Sequence, residues 1–79
     1  MKIPNTVTSI NGSAFRCCDS LTSVEIGASV TSIGAEAFYG CYKLVEVINK
    51  SSHITVEKGS TYNGYVGYYA LSVSNRDNT

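Results

Sequence analysis

Three thiols, one imidazole and six carboxylates are the groups in this 79-residue chain that could carry nucleophilic or acid-base chemistry. Cys17 and Cys18 are adjacent, Cys41 lies well beyond them, and His53 is the single histidine. A Cys–His dyad needs the fold to bring the imidazole within hydrogen-bond reach of the sulfur, and nothing in the spacing of His53 to Cys17 or Cys18 prepares that approach. His53 stands in a Ser-rich break, where plain exposure is the simpler expectation. Glu25 and Glu46 fall on neighbouring predicted strands but out of register, and a carboxylate pair without a pocket makes no acid-base site. A phosphate loop is absent, because no glycine cluster precedes a helix in the required pattern. Three cysteines fit neither a closed disulfide framework nor a four-ligand zinc site, so at least one thiol stays free. The chain therefore reads as a non-enzyme with no catalytic residue, no cofactor and no metal site.

Charge and composition narrow the partners. Six basic residues cancel six acidic ones and form no cluster, so there is no electrostatic footprint for nucleic acid or an anionic membrane. Hydrophobic residues at 43% with 15% charged residues are ordinary for a folded chain and argue against disorder. No run approaches the roughly 18 apolar residues of a membrane span. Met1 to Thr6 hold no apolar signal-peptide core, so any export signal is expected upstream of this stretch. Asn11-Gly12-Ser13 and Asn49-Lys50-Ser51 match the glycosylation sequon, which is more simply chance in a Ser-rich chain.

The elements that would position any site repeat themselves. Ile3, Val7-Thr8-Ser9-Ile10, Ala14-Phe15, Cys18, Leu21 and Val24 recur in the same order and spacing as Ile26, Val30-Thr31-Ser32-Ile33, Ala37-Phe38, Cys41, Leu44 and Val47. Random pairing would give about one or two such identities, so this is an internal repeat with a 23-residue period. Within each copy, Leu-x-x-Val-x-Ile reads as a brief strand. Val-Thr-Ser-Ile reads as an extended segment, and the stretch around Ala-Phe as a short helical turn, closed at Gly40 in the second copy. Cys18 and Cys41 occupy one repeat position and would stack as buried thiols about 5 Å apart on neighbouring coils. Asn49 falls where the repeat wants the apolar residue of Ile26, and the regular array is expected to end there. Beyond it, Tyr65, Tyr68 and Tyr69 at i, i+3 and i+4 predict a short helix over about Gly64 to Ala70. Leu71 to Ser74 would be a last strand, with Leu71 answering to Leu44 across an enlarged coil and the tyrosines capping the core.

This pattern resembles the BspA-like leucine-rich repeats, whose coil runs roughly Leu-x-x-Ile-x-Ile-Pro-x-x-Val-x-x-Ile-Gly-x-x-Ala-Phe-x-x-Cys-x-x. The match covers Ile3 to Val47, with Gly27 in place of the usual Pro and Cys17 as an extra thiol. The resemblance implies an α/β solenoid: a short leucine-rich-repeat array with parallel strands on the concave side, short helical turns on the other, and a Tyr-rich C-terminal cap. It divides the single domain 1–79 into repeat 1 (3–25), repeat 2 (26–48) and an irregular C-terminal coil or cap (49–79), expected to be a fragment of a longer protein. Cysteines at its Cys position would lie inside at a bend, bonding a turning backbone carbonyl.

Functionally, the resemblance implies a non-enzymatic protein-interaction module of a bacterial or protozoan cell-surface or secreted protein, acting in adhesion or host-protein binding. The other reading is a structural spacer or capping segment with no ligand of its own. Outward residues of the strands, Thr22, Ser23, Glu25, Val45, Glu46 and Ile48, are the candidate binding face. Tyr39 and Tyr42, at variable positions on the back, are the candidate aromatic contacts. Partners would be an extracellular or host protein, adjacent repeats, or a second molecule paired through the uncapped N-terminal coil, with no nucleic acid and no membrane insertion.

Overall fold

Equivalent residues of the two repeats lie side by side in the computed structural model, which describes residues 1–75. The end of the expected C-terminal coil, 76–79, lies outside the described residues. Five short strands form: β1 (Ser9–Ile10), β2 (Ser23–Ile26), β3 (Ser32–Ile33), β4 (Glu46–Asn49) and β5 (Ser72–Asn75). They pair in parallel as β1-β3 and β2-β4-β5. Val24 faces Val47, which faces Val73 in turn, while Glu25 faces Ile48 and Ile48 faces Ser74. Lys2 bridges to Glu25 ahead of β2, carrying the repeat spacing back into the first winding. Strand alternation turns Val24, Ile26 and Val47 inward, where they are buried, and leaves Ser23, Glu25, Glu46 and Ile48 on the outer face.

The expected helical turns are not there: no helix occurs among the described residues. The backbone hydrogen bonds explain why. In the first winding the amides of Ala14, Arg16 and Cys18 bond to the carbonyls of Asn11, Ser13 and Phe15, closing tight turns. The intervening amides of Ser13, Phe15 and Cys17 bond instead to the carbonyls of Ala35, Ala37 and Tyr39 in the next winding. An α-helix would need all of them for its own i−4 carbonyls. Left-handed residues enforce the zigzag at equivalent places, Ser13 (φ 61°) with Glu36 (58°) and Cys17 (59°) with Gly40 (81°). Gly40 thus closes a run of tight turns.

The predicted Gly64–Ala70 helix is replaced in the same way, by turns with positive φ at Asn63, Gly64 and Tyr65. Phe38 N–H bonds to Gly64 C=O at 2.7 Å, as Phe15 N–H does to Ala37 C=O. Gly64 therefore stands where Ala37 does, one winding on. A Cβ there would lie 2.7 Å from both Ala37 N and Gly34 O, so only glycine fits. The register of β4 on β5, Glu46 with Ser72 and Asn49 with Asn75, places Ala70, buried, where Leu44 sits, and leaves Leu71 77% exposed. Leu71 is not the inward residue that its expected match to Leu44 suggested.

Ile26, Val30, Phe38, Leu44, Val47 and Val66 are fully buried and form the spine of the core. Phe15 stacks on Phe38 with centroids 5.1 Å apart and planes within 15°. Asn49, expected to end the array, is buried to 1% in Ile26's place, and the sheet continues past it. Its amide nitrogen donates to Ile54 C=O and to Asn75 Oδ1, both at 2.9 Å, and its oxygen accepts from Ser51 N–H at 3.0 Å. Asn75 repeats the device, accepting from Val56 N–H and donating to Val56 C=O, both at 2.9 Å. A polar group is tolerated at this depth because every hydrogen bond it loses to water is replaced.

Candidate functional site

Of the six residues assigned to the strand face, Ser23, Glu25, Glu46 and Ile48 lie together on the outer side of β2-β4-β5, while Thr22 and Val45 immediately precede β2 and β4. Ser23 pairs with Glu46 and Glu46 with Ser72, Glu25 pairs with Ile48 and Ile48 with Ser74, while Thr22 C=O accepts from Val45 and Glu46 N–H. Thr22 and Glu46 are exposed and the other four half-buried. A groove of about 390 Å³ crosses this face, lined by Lys2, Asn5, Glu25, Ile48, Lys50 and Ser74 among others. Sequence reasoning missed the two lysines. Glu25 is pinned between them, Oε2 lying 3.5 Å from Lys50 Nζ and 3.9 Å from Lys2 Nζ. The face is accordingly less acidic than its own residues suggest. Lys2 sits one repeat step ahead of Glu25 and bridges to it, so the repeat spacing already carried that neighbourhood.

Tyr39 and Tyr42, the candidate aromatic contacts, stand at the two ends of one run of tyrosines. Tyr39 meets Tyr65 edge-to-face at 4.9 Å, Tyr65 meets Tyr68 at 5.2 Å, Tyr68 meets Tyr69 at 4.9 Å, and Tyr69 meets Tyr42 at 5.2 Å. Five rings from two windings thus make one continuous row, with the Arg16 guanidinium 5.3 Å over the Tyr39 ring at its end. Partial burial raises the Tyr69 hydroxyl above its ordinary range, helped by the neighbouring Tyr42 hydroxyl. The spacings of Tyr39 to Tyr65 and Tyr42 to Tyr69, close to one winding, were the signal for this row.

The thiols make no disulfide: Cys17 is exposed, Cys18 half-buried and Cys41 buried. Cys41 Sγ donates to Phe15 C=O at 3.0 Å, the bend contact expected of this position. Burial pushes its thiol above the ordinary value of 9.0, the opposite of what activates a nucleophile. His53 is exposed and its backbone N–H is held by Ser51 Oγ at 3.0 Å. Among the described residues no three His, Cys, Asp or Glu side chains converge so as to hold a metal ion, and no helix is long and apolar enough to cross a membrane. At the open side of the first winding, Ile3, Val7, Ile10, Ala14 and Phe15 line a second groove of about 300 Å³.

No curated protein and no solved structure matches the chain. The model of one protein family, described as BspA type leucine rich repeat region (6 copies), does match, over residues 1–75. That span takes in the zigzag turns, the parallel strands and the winding that follows Asn49, and the chain belongs to the BspA-type leucine-rich-repeat family.

Proposed function

We propose that this chain is a non-enzymatic protein-interaction module of a bacterial cell-surface or secreted protein, and that it contacts its partner through the outer face of β2-β4-β5. Leucine-rich repeats are in general protein-interaction modules, and adhesion or host-protein binding is the form that a surface location favours. The observation that carries the reading is the sheet face itself: Ser23, Glu25, Glu46 and Ile48 are held in register on strands whose inner side is packed, with Thr22 and Val45 just ahead of them. A strand backbone held by the core beneath it loses little freedom on binding. Two short strands and a flanking third offer less than the roughly 800 Å² per partner of a standard interface, so this chain supplies part of a contact surface. The test is capture of immobilised matrix and plasma proteins by the chain and by a variant carrying Thr22→Lys, Glu25→Lys and Glu46→Lys. Binding that is lost in the variant supports the reading; no capture by either, or equal capture by both, removes it.

One observation favours the spacer reading as well. A groove of the first winding is lined by Ile3, Val7, Ile10 and Phe15, which stand one repeat before Ile26, Val30, Ile33 and Phe38; Ile3 and Ile10 lie buried in its floor, and Val7 and Phe15 are half-buried. Its natural occupant is another coil of the same repeat, from a neighbouring repeat or a second molecule. Sedimentation equilibrium distinguishes these: self-association abolished by Val7→Asp supports the second molecule, and a monomer at all concentrations excludes it.

A further inference from the structure

The five-tyrosine row has the properties of a ligand site of a different kind from the sheet face, and we infer that it is a carbohydrate-binding platform for a short neutral oligosaccharide. Four edge-to-face contacts, with ring planes 61° to 85° apart, lock the rings against one another across two windings. Ring faces and ring edges therefore alternate along the row, and little side-chain freedom is left to lose on binding. Tyr65 holds a left-handed backbone, φ 67°, which is costly for a bulky residue, and this strain places its ring between those of Tyr39 and Tyr68.

Size selects the ligand class. Tyr42 is 68% and Tyr68 42% exposed, and the other three are half-buried. With roughly 150–250 Å² per fully buried ring, the accessible aromatic area is about 300–400 Å². That is half or less of the roughly 800 Å² a folded protein partner covers, and suits two or three pyranose rings. Chemistry selects it too. The C–H face of a pyranose is apolar with weakly positive hydrogens, matched by the negative face of an aromatic ring, while its rim of hydroxyls needs partners that both donate and accept. Tyrosine hydroxyls do both. No carboxylate belongs to the row, and its one cation, Arg16, already lies over Tyr39. A nucleic-acid strand would need phosphate-neutralising cations along the row, which its composition does not provide.

This inference is independent of the sheet-face reading and is tested apart from it. The 79-residue chain contains no tryptophan, so its intrinsic fluorescence reports the tyrosines directly. Titration with cellotetraose and with lacto-N-neotetraose, each to about 10 mM, is expected to change that fluorescence for at least one sugar. The change should be accompanied by saturation-transfer signals from the sugar's ring C–H protons. Tyr42→Ala and Tyr68→Ala, both at exposed positions, should each weaken binding by about tenfold, and Tyr42→Phe by less. Glu46→Lys, on the sheet face, should leave it unchanged. Absence of a response to both sugars, or binding undiminished in both alanine variants, overturns the proposal.

Discussion

Asn49 shows how one side chain can violate a repeat and still be the best residue for its place. Its carboxamide bonds Ser51 N–H, Ile54 C=O and Asn75, and so ties β4 to the irregular segment that follows and to β5. Restoring the apolar pattern with Asn49→Leu leaves those groups buried without partners, and is expected to lower unfolding free energy by about 2–3 kcal/mol in urea denaturation. An unchanged midpoint would show that the amide ladder contributes nothing. Cys41 gives a pH-linked expectation. Its thiol is neutral and buried in the folded chain, with its pKa raised, whereas the unfolded thiol ionises near 9.0. Unfolding then releases a proton, so stability is full below that value and falls as pH rises through and beyond it. Tyr69, shifted in the same direction, adds to the fall. Between about pH 8 and 10 the decline should be shallower in Cys41→Ala than in the parent, and only Cys17 should react promptly with a thiol reagent at about pH 8.

Among the elements, the zigzag turn segment is the one whose character sequence reasoning mistook. Ala-Phe-x-x-Cys spacing reads as a helical turn because i, i+3 and i+4 positions share a helix face. What overrode it was the neighbouring winding, which takes alternate amides for itself and leaves the others to close tight turns. Tertiary hydrogen bonds of this sort cannot be seen in a short window of sequence. The left-handed positions were not legible either, since Ser13, Cys17 and Glu36 are not the residues that advertise positive φ. Only Gly40, aligned with Cys17, hinted at them. The consequence is testable: Cys17→Gly removes the strain at φ 59° and is expected to raise stability by about 0.5–1 kcal/mol, net of the added freedom of the unfolded chain. Gly64→Ala, which adds strain at φ 64° and drives a methyl into Ala37 and Gly34, should lower it by at least about 2 kcal/mol.

Taken whole, the molecule is held by pairings between successive windings, with no local helix to start from among the described residues. Loop closure must precede every one of them, so refolding is expected on the millisecond-to-second scale in stopped-flow measurements; submillisecond refolding would contradict this architecture. The repeat period by itself determined which residues face inward, because every winding must bury the same set against its neighbours: Ile26, Val30, Phe38, Leu44 and Val47 could be named without coordinates. It also put Ser23 and Glu25 beside Glu46 and Ile48 on one outer face, since strand alternation has a fixed period of two. Only the tertiary structure decided the rest. It extended the sheet past Asn49, set the last register with Asn75 beside Asn49, placed Lys2 and Lys50 around Glu25, and drew five tyrosines into one row. Most of these features depend on how the third winding stacks on the second, where the repeat no longer dictates the spacing and hydrogen-bond satisfaction and ring packing choose it instead. The lysines around Glu25 follow the same logic, since side chains reach across windings to partners that no local pattern specifies.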